Sequence, residues 1–200
     1  MDPLLKVAGA VARAGVWFGG GLIIASALLV GVEVVIRKAF DLSIGGADEL
    51  SGFALAISTS WALAFTLLER AHIRIDSLYI RLPVRLCAVL DLLGLALFTA
   101  FIALVAWYGF GVFRTSYELG ARSLSPLGTP LVVPQLIWVL GFAVFLATAL
   151  LLFVRALAAL VRGDLQTVRG LVGSRTVREE IEAELEPEPA PGRPVPPAPS

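Results

Sequence analysis

The chain reads as an all-α membrane protein: four transmembrane helices, with a short interfacial helix between spans two and three. Three observations predict that class. Hydrophobic residues make up 58% of 200 residues and charged residues only 16%, a balance far from that of a soluble domain. Uncharged apolar runs from Ala14 to Val32, Leu50 to Leu68, Leu92 to Phe113 and Ser123 to Val154 each approach or exceed the roughly twenty residues that cross a bilayer as helix. Cationic residues concentrate in alternate connectors: Lys6 and Arg13 before span one, Arg70, Arg74, Arg81 and Arg85 between spans two and three, and Arg155, Arg162, Arg169, Arg175 and Arg178 after span four. By the positive-inside rule both termini and the central connector face the cytoplasm.

These boundaries divide the chain into a cytoplasmic N-terminus over 1–15, a four-helix membrane domain over 16–155, a partly helical cytoplasmic segment over 156–186 and a disordered tail over 187–200. Span one covers about Val16 to Ile36, with Trp17 and Arg37-Lys38 suited to its two interfaces. It does not read as a secretory signal. The run is long for such a segment, contains Trp17 and continues into Glu33-Val34-Val35-Ile36-Arg37 instead of a small-residue cleavage site. Glu33 and Arg37 have the i, i+4 spacing of an ion pair, which lowers the cost of a carboxylate near the membrane boundary. The other reading of Glu33 is a buried proton or ion site.

Gly45-Gly46 marks a turn before span two, and Asp48-Glu49 fall in that span's first turn. Acidic residues there complement the helix dipole; the alternative is an acidic contact for an extracytoplasmic partner. After span two, Ile75, Leu78, Tyr79 and Leu82 follow helical spacing, with Arg74, Asp76, Ser77 and Arg81 opposite them, the pattern of an interfacial helix. Glu69, His72 and Asp76 have the spacing to line one helical face, placing the only histidine between two carboxylates.

Span three runs from about Val84 to Phe113, with Asp91 near its inner boundary and Trp107-Tyr108 near its outer end. Pro126, Pro130 and Pro134 break the next uncharged stretch, so span four begins near Pro134 and residues 123–133 form an irregular re-entrant or interfacial loop. Gly19, Gly20, Gly21, Ala25 and Ala27 in span one, and Gly94 with Ala96 in span three, are small enough for close helix contacts. Residues 175–186 have the charge mixture of a short exposed helix. Pro187 to Ser200 lacks the large apolar groups needed to fold.

Little chemistry survives this inventory. One histidine cannot supply dihaem axial ligation or a two-histidine zinc protease site, and Cys87 alone provides neither a disulfide nor a cysteine-based metal site. Nucleotide-binding loops and a Gly-x-Ser-x-Gly elbow are absent from the sequence. No enzymatic activity, cofactor or metal is expected. The zero formal net charge provides no global basic field for nucleic acid. The span centres are nearly free of ionisable groups, where a self-sufficient ion-coupled carrier places them. Packing against a partner and membrane lipid fits such spans better.

Four ordered pieces of residues 16–155 resemble the small integral-membrane subunit of tripartite ATP-independent periplasmic (TRAP) transporters, the DctQ-like family. Arg37 with Phe40 is similar to the family's closing of span one, and Glu49 to its acidic opening of span two. Arg70, His72 and Asp76 match its Arg-x-His-x-x-x-Asp connector. Pro126-Leu127 and Pro134 resemble its approach to the last span. Lys38 stands where an aromatic is common, and Gly46 where tryptophan often precedes the acidic pair. The resemblance implies a bacterial inner-membrane protein paired with a large, roughly twelve-span permease subunit and a periplasmic solute-binding protein. It also implies sodium-gradient-driven uptake of carboxylate-bearing solutes, with substrate and sodium sites in the large subunit. Arg37, Phe40, Asp48, Glu49, Arg70, His72, Asp76, Pro126 and Pro134 are then the candidate partner-interface residues. The alternatives are a stand-alone small transporter using Glu33, and an accessory subunit of another membrane complex.

Overall fold

The computed structural model describes residues 3–43, 45–69 and 83–172. Four long helices carry the fold: α1 (Pro3–Phe40), α2 (Ala47–Leu68), α3 (Val84–Glu118) and α4 (Val132–Val161), followed by the short α5 (Leu165–Val172). All four long helices are long and apolar enough to cross a membrane, so the chain is an all-α membrane protein. The expected interfacial helix, with Arg70, His72 and Asp76, lies outside the described residues, as do residues 175–186 and the Pro-rich tail.

Helix boundaries overrun the sequence expectation at several ends. α1 begins at Pro3, well before Val16, and continues through Phe40. Its 38 residues extend about 57 Å, against about 33 Å for the 22 residues of α2. Hydropathy marks where lipid starts; it does not mark where helical hydrogen bonding stops, so flanking residues continue the helix. α3 likewise runs past Phe113 to Glu118, supported on its exposed surface by the Arg114–Glu118 pair at 2.7 Å.

The helices form a row, not a closed four-cornered bundle. α1 packs on α2, α2 on α4, and α4 on α3, leaving α1 and α3 as the two edges without a substantial interface between them. α4 is therefore the central member, and its Phe145, Ala149, Leu152 and Ala156 form the spine of the core with Ala64, Leu67, Leu92, Leu95 and Ile102. Phe145 is fully buried and meets Phe98 of α3 edge-on at 5.7 Å between ring centroids.

Small residues permit the closest approaches, though only some of those expected. Gly15 and Gly19 sit one turn apart and face Trp61 and Ser58 of α2. A Cβ on Gly19 would lie 3.1 Å from the Ser58 Cα. Gly20, Gly21 and Gly94 have nothing within 4 Å of such a Cβ, so those three glycines make no close contact. Gly15 was missed because composition cannot say which side of a glycine-rich helix meets its neighbour. Gly141 plays the corresponding part between α2 and α4, against Ser60 and Trp61.

Several buried polar side chains of the spans are tied down. Ser58 Oγ donates to the Gly19 carbonyl at 2.8 Å across the α1–α2 contact, and Trp61 Nε1 to the Ile137 carbonyl at 3.0 Å across α2–α4. Ser60, Thr99 and Thr148 donate to carbonyls of their own helices, the economical solution where water is absent. Gly120 and Gly163, both with positive φ, end α3 and α4; the Ala121 N–H returns to the Ser116 carbonyl and the Asp164 N–H to the Ala159 carbonyl. The second of these turns leads directly into α5, whose Val168 is fully buried in a cluster with Ala88 and Ala159.

Candidate partner interface at the hairpin end

The end of the row formed by the α1–α2 and α3–α4 connections gathers most of the candidate residues outside the central connector. α1 stops at Phe40 because Asp41 adopts a left-handed conformation, φ 54°, which reverses the chain after the last helical turn. Glu33, 4% exposed, receives a hydrogen bond from Arg37 Nη2 at 2.7 Å and another from Ser43 Oγ at 2.6 Å. Ser43 Oγ in turn accepts the Gly45 N–H at 3.1 Å. The i, i+4 pair expected from sequence is formed, and Ser43 extends it into a clasp between the last turns of α1 and the turn leading to α2. Arg37 keeps most of its side chain exposed, so the ion pair has one wet partner and one dry one.

The α3–α4 connection is irregular, as its prolines predict, but it has a defined shape. Arg122 and Pro130 pair in an antiparallel bridge, Ser123 N–H donates to the Thr129 carbonyl at 2.9 Å, and Leu131 N–H to the Ala121 carbonyl at 3.1 Å. Ser125 to Gly128 makes the tight turn, closed by Gly128 N–H to the Ser125 carbonyl, with Gly128 at φ 56°. Pro126 supplies the fixed φ at the second position of that turn. Pro134 is buried in the first turn of α4, where its missing N–H would have had no intrahelical partner.

This small hairpin rests on the beginning of α2. Ser125 Oγ donates to Glu49 Oε2, and the Pro126 ring lies 3.5 Å from where a Cβ on Gly45 would stand. Leu127 occupies the space beside Gly46: an added Cβ would fall 2.0 Å from its Cδ1. A tryptophan at position 46 is incompatible with Leu127 in this place, which gives a physical reason for the glycine there. Glu49 Oε1 is buried and makes no hydrogen bond among the described residues, while the Ser123 and Thr129 hydroxyls lie near the carboxylate.

Glu49 thus serves inside the molecule, whereas Asp48 beside it is exposed. Phe40, 70% exposed, and Leu124, wholly exposed, present apolar side chains outward from the two connections. Of the candidates, Arg37, Glu49 and Pro126 are brought into two adjoining clasps, Pro134 anchors α4, and Phe40 and Asp48 face outward. Sequence reasoning missed Ser43 and Ser125. A serine in a polar connector has no periodicity to single it out, and both act through partners distant in the chain.

No group of three or more histidine, cysteine, aspartate or glutamate residues suited to a metal occurs among the described residues. Cys87 is buried in α3. Comparison with known families finds one described as tripartite ATP-independent periplasmic transporters, DctQ component, matching residues 26–159, more than half of the chain. No curated protein and no solved structure matches.

Proposed function

The chain belongs to the DctQ family, the small membrane component of tripartite ATP-independent periplasmic transporters, and from that premise we propose how it serves uptake. It braces the large permease subunit in the bacterial inner membrane and presents the hairpin end to the periplasmic solute-binding protein. The permease carries the sodium and substrate sites and moves a carboxylate-bearing solute by an elevator-type displacement. Such a displacement needs a stationary frame, because a moving transport body gains nothing if its support moves with it.

The observation that carries this reading is the row of helices with two apolar edges. Trp17, Ile24, Leu28 and Val35 on α1, and Leu93, Leu97, Leu104 and Tyr108 on α3, are each at least half exposed and recur at helical spacing. In a membrane such stripes are covered by lipid or by another helical subunit, so a flat row widens whatever it packs against. Glu33 supports bracing over independent ion coupling. Its carboxylate is held by Arg37 and Ser43, and its place at the end of α1 ties a connector.

Sodium-dependent uptake into proteoliposomes holding the large subunit and binding protein, with and without this chain, tests the proposal. Uptake that requires the chain, with no transport by the chain alone, supports it. Transport by the chain alone refutes bracing as its role.

A further inference from the structure

On one face of the row, α1 and α4 leave a groove over α2 with a volume of about 340 Å³. Leu22 and Leu29 line it from α1, Leu50 and Ile57 from α2, and Val133 and Ile137 from α4. The α1 stretch lies inside the uncharged run from Ala14 to Val32, and Val133 opens α4, so the groove sits at hydrocarbon depth in the half of the membrane nearer the hairpin. Among the described residues no charged side chain lines it, and its side-chain oxygens are those of Ser26 and Thr129.

Contacts at both ends prop the groove open. Towards the middle of the membrane, the Ser58 hydroxyl holds α2 to the Gly19 carbonyl of α1, and Trp61 Nε1 holds it to the Ile137 carbonyl of α4. At the hairpin end, Ser43 ties the last turns of α1 to the turn before α2, and Ser125 ties the hairpin to Glu49. With its walls fixed in this way, an empty groove forfeits dispersion contacts along every wall, and its lining lacks the polar partners that retain water.

We propose that this groove seats one acyl chain of a membrane phospholipid. A unit the size of a water molecule takes about 30 Å³ in a liquid, so the groove holds on the order of ten methylenes. Leu22 to Leu29 advances about 10 Å along α1, which gives the space the length of a chain segment and not the shape of a compact ligand. A transmembrane helix is about 10–12 Å across with its side chains, and α1 and α4 also approach each other directly, so the gap between them admits a single chain and excludes a helix. The apolar lining takes hydrocarbon and leaves the headgroup at the interface beside the hairpin. A chain seated there completes the packing between α1 and α4, which otherwise meet chiefly through α2. The site does not depend on which subunit the protein braces.

The test is native mass spectrometry of the full chain, delipidated in detergent and titrated with palmitoyl-oleoyl phosphatidylethanolamine. Ala25→Phe fills the groove from α1, and Val133→Trp fills it from α4; both positions are exposed, so neither replacement overpacks the core. Ala27→Phe, on the same helix but outside the groove, is the comparison, and circular dichroism verifies that all three fold. Displacement of the chain predicts at least about tenfold weaker lipid retention in A25F and V133W and little change in A27F. Equal retention by both filled variants and the unaltered chain overturns the proposal. Equal retention of the dihexanoyl homologue, which has the same headgroup on short chains, also overturns it. Unchanged lipid retention in A25F together with lost copurification of the large subunit would assign the groove to a protein partner instead.

Discussion

A single buried carboxylate shows how much depends on a partner in this molecule. Removing Arg37 leaves Glu33 without its cationic partner in a site 4% exposed, where the Ser43 hydroxyl still donates to it. Arg37→Leu is expected to destabilise the fold by roughly 1.5–3 kcal/mol, and Glu33→Leu combined with Arg37→Leu to recover much of it, because the double variant leaves no unpaired charge. Reversible unfolding in mixed micelles measures both; additive losses would contradict pairing as the cause. Glycine substitution separates contact from composition in the same way. Gly19→Val must push against the backbone of Ser58, at a cost of roughly 1–3 kcal/mol, whereas Gly20→Val one position along meets open space and should change stability far less. Both positions look alike in the sequence. Only the one facing α2 is constrained.

Among the elements, α5 begins beside a carboxylate that links its formation to pH. Asp164 precedes its first residue, and the Thr167 hydroxyl, followed by the Thr167 backbone N–H, holds its carboxyl below the ordinary aspartate value, with desolvation opposing. A depressed folded-state value contributes stability that is full above the unfolded value, about 3.9, and is lost as pH falls through the lower folded one. A nitroxide on Gln166→Cys should therefore report an ordered α5 from neutral pH down to about 5 and increasing mobility below about 4. Asp164→Asn should flatten that dependence. This helix was legible in principle: Gly163-Asp164 is a stop followed by a cap, and Leu165, Val168 and Leu171 follow at helical spacing. The α3–α4 hairpin was legible only as an irregular segment, because three prolines forbid a helix without specifying which hydrogen bonds replace it.

At the scale of the whole molecule, the exposed acidic residue and the internal one next to it should behave differently. Asp48→Asn is expected to weaken binding-protein docking while leaving the chain's stability unchanged. Glu49→Gln should loosen the hairpin by weakening the bond from Ser125, seen as faster proteolysis between Ala121 and Leu131. Surface plasmon resonance on the reconstituted complex reads the first effect; docking unchanged in D48N would remove Asp48 from the interface. For the central connector, His72→Ala and Asp76→Ala should reduce copurification with the permease subunit more than they alter solute selectivity. Intact copurification would argue against an assembly role.

Hydropathy and charge spacing determined the membrane class, the four spans and the Glu33–Arg37 pair, because each depends on residues within a few turns of one another. The chain order also carried the resemblance on which the DctQ family was expected, and the match over residues 26–159 bears it out. Tertiary structure alone decided that the helices stand in a row with α4 central, that Gly15 and Gly19 but not Gly20 meet α2, and that Ser125 reaches Glu49. Lipid-facing and helix-facing sides of a membrane span are equally apolar, so hydrophobic patterning cannot distinguish them. Close packing and hydrogen bonds between distant residues do.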